Sequence, residues 1–154
     1  MIGILDGYVD EPSCLGVPPY ISPYPRYIAG MLERLGIRWK YATVDEYRRN
    51  PEVLQKAKKV IVIAGIAVPG KYMGGRPLSL KELPSIYPEK GKILVGPITL
   101  EMKGEIEGYT SIRFPFEHEL YRILGGEVRD FSRNFVNEFA VLGAKIVKEH
   151  PDFP

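Results

Sequence analysis

Residues 60–65 read Val-Ile-Val-Ile-Ala-Gly, an unbroken apolar run that is rich in β-branched side chains and ends at a glycine. Such a run is typical of a strand buried on both faces, as in a parallel sheet covered by helices. Similar short runs occupy residues 2–5 and 92–96. The sequence therefore predicts three buried strands of one parallel sheet.

Segments with helical spacing of apolar residues separate and follow these runs. Ser22 followed by Pro23 predicts the start of a first helix, capped by the serine, which ends at Gly36. Further helices are predicted from Thr43 or Asp45 with a break near Pro51, at residues 79–87 with Ser79 as the cap, and at residues 115–124 and 134–150. This alternation predicts a single α/β domain over residues 1–154, with a doubly wound, mostly parallel sheet of four or five strands.

The order of the strands follows from how apolar each one is. Residues 37–42 alternate between apolar and polar side chains, which favours a position near an edge of the sheet. Residues 2–5 and 60–64 are apolar throughout. We therefore expect the first strand to be central, between the second and the third, in the flavodoxin-like order. Weaker patterns predict additional strands at residues 109–113 and near Val128.

The composition argues against several classes of protein. With 154 residues, 45% hydrophobic side chains and a formal net charge of +2, the chain suits one globular domain. Its lysines and arginines form no concentrated stripe, so we expect no nucleic-acid partner. No stretch approaches 18 apolar residues and no secretory signal is visible, so we expect no membrane partner and a cytoplasmic location. The scarcity of asparagine and glutamine suits a heat-adapted (thermophile) source.

Residue types that commonly carry catalysis or bind metals are few. Cys14 is the only cysteine, so the chain cannot form an internal disulfide or hold an iron–sulfur cluster by itself. His118 suits an exposed position, and His150 suits the last turn of a helix, where a cation is favourable. Neither HExxH nor GxSxG is present. We therefore assign no catalytic residue and no metal ligand.

Two long loops are predicted at the carboxyl ends of strands, where the ligands of such sheets gather. Residues 6–22 combine carboxylates with tyrosines, and residues 65–77 combine glycine amides with two cations. We expect these loops to meet in one concave surface for a small polar ligand or a partner; alternatively, they pack on each other and only shield the sheet. The candidate residues are Asp6, Tyr8, Asp10, Glu11, Tyr20, Gly70, Lys71, Gly74, Gly75 and Arg76.

Three stretches together resemble a known family: DGYVDEPSCLGVPPYISPYPRYIAG (6–30), VIAGIAVPGKYMGGRPLSLKE (62–82) and GAKIVKEHPDFP (143–154). They are similar to the amino-terminal, cobalamin-binding-like domain of a mostly archaeal family of radical SAM proteins. In that family the domain precedes a barrel that carries a CxxxCxxC motif, a 4Fe-4S cluster and S-adenosylmethionine. The resemblance implies that the chain is the N-terminal part of a longer protein and that its partner is the radical SAM barrel domain in the same parent chain.

The chain departs from one pattern of cobalamin domains. Those that ligate the cofactor through histidine carry DxHxxG after the first strand, whereas Asp6-Gly7-Tyr8-Val9-Asp10 contains no histidine. We therefore expect no histidine-ligated cobalamin and no cofactor in this chain itself.

Two functions follow from these observations. The first is an accessory binding or docking domain of a radical SAM enzyme, which is not catalytic by itself. The alternative is a small free-standing hydrolase or transferase that acts on a nucleotide-like substrate through loop carboxylates such as Asp6, Asp10 or Glu11.

Overall fold

The computed structural model of the protein describes residues 1–8, 21–65, 76–127, 129 and 135–153, without the side chains of residues 135 and 136. Within these ranges the chain forms five strands: β1 (Ile2–Asp6), β2 (Trp39–Thr43), β3 (Lys59–Ile63), β4 (Lys92–Val95) and β5 (Tyr109–Ser111). All neighbouring strands pair in parallel, in the order β2-β1-β3-β4-β5. The predicted doubly wound α/β fold and its flavodoxin-like order are confirmed.

Strand β1 is the central strand of the predicted order and pairs along its whole length on both sides. Ile2 lies opposite Trp39 of β2 and Lys59 of β3, and Asp6 lies opposite Thr43 and Ile63. All five residues of β1 are buried. This is the arrangement that the apolar first and third runs predict, because only a strand covered on both faces needs no polar alternation.

Helices cover the two faces of the sheet unequally. The face that carries Ile4 and Ile61 packs against α1 (Pro23–Arg34), α3 (Glu117–Ile123) and α4 (Phe135–Leu142). The opposite face, with Leu5 and Val62, packs against α2 (Val44–Arg49) and the short 3-10 helices Pro51–Leu54, Leu83–Ser85 and Pro97–Leu100. No helix in the described ranges has the length and apolar character that a membrane crossing requires.

Several predicted helix boundaries are correct, and their caps explain them. The side chain of Thr43 accepts a hydrogen bond from the Glu46 amide at 3.1 Å and so caps α2, as the sequence predicts. Helix α1 begins with Pro23 as its first residue. The prediction that Ser22 caps it through its side chain is wrong, because the Ser22 hydroxyl makes no capping bond and is buried without a partner among the described residues.

Two predicted helices are shorter than expected. Residues 79–87 form turns and the 3-10 helix Leu83–Ser85, since Pro84 lacks an amide donor and the Glu82 carboxylate accepts bonds from the amide and hydroxyl of Ser79. The last predicted helix, residues 134–150, ends at Leu142, and a 3-10 helix follows over Ala144–Glu149. The strand predicted near Val128 falls outside the described residues.

The break after Leu142 lies where α1 and α4 approach backbone to backbone. A methyl group on Gly143 would collide with the carbonyl oxygen of Arg26, and one on Gly30 would collide with that of Phe139. These two glycines therefore let α4 lie directly on α1. The side chain of Arg26 adds a hydrogen bond from its Nε to the carbonyl of Ala140, at 2.6 Å.

We expect Gly30→Ala to lower the free energy of unfolding by about 3 kcal/mol, because the methyl must push the two helix backbones apart. Urea unfolding followed by circular dichroism measures the loss. Gly36→Ala is the control: Gly36 has a φ of +68° and no neighbour within 4 Å of a new methyl, so only backbone strain of about 1 kcal/mol applies. Equal losses in the two variants would contradict the close approach.

Candidate ligand edge at the carboxyl ends of β1 and β3

The order of the sheet places a crevice between β1 and β3. From β1 the chain moves outward to β2, then crosses back to β3 on the other side of β1. The loops that leave β1 and β3 therefore diverge, and in open parallel sheets ligands bind at this reversal, outside the carboxyl ends of the strands. Asp6, the last residue of β1, and Gly65, two residues after β3, stand at this point.

Asp6 is buried and held in a fixed orientation. One carboxyl oxygen accepts the hydroxyl proton of Tyr41 at 2.7 Å, and the other accepts the backbone amide of Tyr8 at 3.1 Å. Asp6 is 4% exposed and Tyr41, on the neighbouring strand β2, is 2% exposed. A buried carboxyl group requires such partners, since an unpaired one would lose its hydration without compensation. Asp6 is therefore an anchored acceptor at the tip of β1.

The Tyr8 side chain covers the crevice at the end of β3. A methyl group on Gly65 would lie 2.7 Å from the ring and hydroxyl of Tyr8, so the ring rests on the bare backbone of residue 65. The Tyr8 ring lies 6.1 Å from that of Tyr24 in α1, which in turn meets Phe114 and Phe116 edge-on at 5.9 and 5.8 Å. An aromatic cluster thus joins the end of β1 to the start of α1 and to the segment before α3.

The described ends of the two predicted loops touch each other. The amide of Gly7 donates to the carbonyl of Ile63, and the carbonyl of Gly7 accepts from the amide of Leu78, both at 2.8 Å. The chain after β1 is thus fastened both to the end of β3 and to the residue that returns from the second loop. The prediction that the two loops form one concave surface is not tested, because it also rests on residues outside the described ranges: Asp10, Glu11, Tyr20, Gly70, Lys71, Gly74 and Gly75.

Arg76 is exposed at the return of the second loop, and its backbone is held by a residue that the sequence did not single out. The guanidinium of Arg48 donates to the carbonyls of Arg76 and Pro77 and forms a two-pronged pair with the Glu82 carboxylate, at 2.8 and 2.9 Å. Arg48 and Glu82 are 34 residues apart in the sequence, so no local sequence pattern predicts that they pair. Together they tie the loop return to α2.

A depression lies beside this clamp, on the face of the sheet that carries α2. Its volume is about 450 Å³, and its lining is mostly apolar with a few charged side chains at the rim. Gly65, two residues after β3, is one of its lining residues. The lining residues are Gly65, Leu78, Ser79, Leu80, Lys81, Ile98 and Glu101.

The two histidines differ from each other in their surroundings. His118 is exposed on α3, as predicted. His150, predicted in the last turn of a helix, directly follows the 3-10 helix Ala144–Glu149; it is 4% exposed, and its Nδ1 accepts the amide of Asp152 at 3.1 Å. Its burial follows from the break at Gly143, which redirects the chain towards the sheet. The described ranges contain no cluster of three metal-ligating side chains.

Comparisons with known proteins place similar sequences in archaea. An uncharacterised protein of Archaeoglobus fulgidus is 52% identical over 98% of this chain, and one of Methanocaldococcus jannaschii is 40% identical over the full length of this chain. The chain spans only 29% and 33% of the length of these two relatives. No protein-family model matches the chain, and no solved structure is significantly similar to it.

We expect Tyr41→Phe to lower the free energy of unfolding by about 1–3 kcal/mol, because it leaves an oxygen of buried Asp6 without this donor. Urea unfolding measures the change. Tyr47→Phe is the matched control, since the Tyr47 hydroxyl only accepts an exposed bond from the Tyr87 amide. A loss no larger than that of the control would show that Asp6 is not anchored through Tyr41.

The Arg48–Glu82 pair should make stability depend on pH. Arg48 lowers the pKa of the Glu82 carboxyl below its ordinary value, chiefly through the hydrogen bonds between them. The pair therefore stabilises the fold above the ordinary glutamate pKa of about 4.3, and this contribution disappears as the pH falls through the lowered pKa. We expect Glu82→Gln to cost about 1 kcal/mol at pH 7 and far less near pH 3.

Denaturant unfolding of the wild type and of Glu82→Gln at several pH values checks this expectation. Glu119→Gln removes the comparable but solvent-exposed pair with Arg122 and serves as the control, with a much smaller effect at every pH. A cost for Glu82→Gln that stays constant from pH 7 to pH 3 would contradict the ionic role.

Proposed function

We propose that this chain is an accessory binding and docking domain of a longer archaeal radical SAM protein. Its carboxyl-end edge, from Asp6 and Tyr8 to Gly65 and Arg76, faces a small polar ligand or the barrel domain of the same polypeptide. The observation that carries the proposal is the length relationship: the relatives match nearly all of this chain, yet it accounts for only about a third of each of them.

The geometry of the edge supports binding more than catalysis. The described candidate carboxylate, Asp6, accepts bonds from Tyr41 and Tyr8 on its two oxygens and is almost completely buried. A general acid or base must reach a substrate proton within hydrogen-bond distance, which this burial opposes. The hydrolase or transferase alternative rests on Asp10 and Glu11, which lie outside the described residues, and no observation in the described ranges favours it.

The residues of this chain do not suit the binding of the cofactors that the resemblance implies. One cysteine, Cys14, cannot supply the thiolates of a 4Fe-4S cluster, so the cluster and S-adenosylmethionine belong to the proposed barrel. A histidine-ligated cobalamin does not fit either. Tyr8 stands where such domains place a histidine, and its ring fills the space over Gly65.

The full-length protein encoded by the complete gene tests this proposal. After anaerobic reconstitution it should show the charge-transfer absorption of a 4Fe-4S cluster and reductively cleave S-adenosylmethionine. We expect Arg76→Ala to leave the melting temperature of the domain unchanged and to impair that cleavage or the assembly of the two domains, because its side chain is exposed at the proposed edge.

The control is Arg129→Ala, a change of an equally charged residue that is 80% exposed elsewhere on the chain. Its cleavage activity should equal that of the wild type. A full-length protein without cluster absorption would refute the radical SAM assignment. If Arg76→Ala and Lys71→Ala both retain full activity and assembly in the reconstituted enzyme, the carboxyl-end edge has only a structural role.

A further inference from the structure

The outward face of α4 carries two apolar side chains that are exposed to solvent. Val141 is 72% exposed and Leu142 is 42% exposed, although both are aliphatic. They lie on the same exposed face as Asn137 and Glu138, one turn earlier in the helix. A surface helix ordinarily turns polar residues towards solvent along its whole outward face. The second turn of α4 departs from that rule.

These side chains line a shallow depression between α4 and the end of α1. Its volume is about 410 Å³, and the surface that it presents is almost entirely apolar. Arg34 of α1 and Glu138 of α4, both exposed, add one charge of each sign. The residues of this depression, which we call the α4 patch, are Arg34, Asn137, Glu138, Val141 and Leu142. Such a surface suits an apolar partner segment with polar groups at its margin.

The helix that carries the α4 patch is held firmly in place. A methyl group on Gly30 would collide with the carbonyl oxygen of Phe139, and one on Gly143, directly after α4, would collide with that of Arg26. The Arg26 side chain also donates to the carbonyl of Ala140, the residue before Val141. The patch is therefore presented by a stiff support, which reduces the entropy that is lost when a partner docks.

The length of the related proteins indicates what covers this surface. Both archaeal relatives match nearly all of this chain, yet the chain spans only 29% and 33% of their length. About two thirds of each relative therefore lies outside the matched domain. A segment of the same polypeptide is held near the domain at an effective concentration on the order of millimolar, so a small apolar patch is sufficient to bind it.

A second copy of the chain suits the α4 patch less well. A stable interface between separate proteins takes roughly 20 to 30 residues from each side. The part of the chain that the structure describes supplies five residues to the patch. A surface of this size is too small to hold two free molecules together, whereas it can hold two parts of one polypeptide.

We propose that the α4 patch is the surface on which an apolar segment from the remainder of the same polypeptide docks. The inference rests on the proposed function in one respect, namely that this chain is one domain of a longer protein, and it does not require the radical SAM assignment. It assigns docking to α4 and leaves the carboxyl-end edge to a ligand. The competing explanation is that Val141 and Leu142 are exposed aliphatic side chains of the ordinary scattered kind.

Hydroxyl-radical footprinting of the full-length protein, read by mass spectrometry, tests the proposal without any substitution. Leu142 is compared with Leu100, a leucine that is 46% exposed and lies beyond the carboxyl end of β4. The two leucines are almost equally exposed in this domain, so their oxidation rates should be equal unless a partner covers one of them. We expect Leu142 to be oxidised about fivefold more slowly than Leu100, each relative to the urea-unfolded protein, which corresponds to a patch covered about four-fifths of the time.

Two variants of the full-length protein complete the test. Val141→Asp should raise the oxidation of Leu142 about fivefold, to the level of Leu100, because an unpaired carboxylate resists burial under a partner. Val141 is 72% exposed, so the fold should tolerate the change, and circular dichroism checks this. Leu100→Asp is the matched control and should leave the oxidation of Leu142 as it is in the wild type.

The possible outcomes separate this inference from its alternatives. Oxidation of Leu142 as fast as that of Leu100 in the wild type, or unchanged by Val141→Asp, overturns the proposal. Protection that weakens when the protein is diluted identifies a second copy as the occupant and also overturns it, since docking within one polypeptide is independent of concentration. A full-length protein that lacks cluster absorption but protects Leu142 supports the docking and refutes the radical SAM assignment alone.

Discussion

The continuous parallel pairing of β1 on both of its sides is the constraint on which the rest of the molecule depends. Strand β1 cannot exchange its place, because its five residues are buried and hydrogen-bonded to β2 and β3 in one register. A slip by one residue would turn Ile4 and Leu5 to the wrong faces and break both apolar clusters. It would also carry Asp6 away from Tyr41. The position of the polar edge is therefore a consequence of the register.

The same strand explains why a carboxyl group can be buried beside apolar clusters. Asp6 is the last residue of β1, and two neighbouring groups satisfy its carboxylate: the Tyr41 hydroxyl on the adjacent strand β2 and the backbone amide of Tyr8 in the following turn. The polar group is satisfied by residues that the sheet itself brings into place.

The fold can be predicted from the sequence, but only part of the candidate site can. Unbroken apolar runs such as residues 60–65 predict buried strands, and their contrast with residues 37–42 predicts the order, because burial on both faces leaves a direct mark on composition. The sequence does not predict the helix break at Gly143, which packs against the carbonyl of Arg26, more than a hundred residues away. Likewise, Tyr41 and Arg48 reach Asp6 and Glu82 only through the sheet and the chain crossing. The local spacing of residues in the sequence cannot predict contacts between such distant partners.

The contact between α1 and α4 has a mechanical consequence. Where Gly30 and Gly143 meet the opposite backbones, there are no intervening side chains whose rotation could absorb a small displacement. The two helices must therefore move as one rigid piece. Helix α1 starts beside the aromatic cluster at the carboxyl-end edge, through Tyr24, while α4 leads into the final segment of the chain. A displacement of that segment would therefore shift α1, and with it Tyr24 at the carboxyl-end edge.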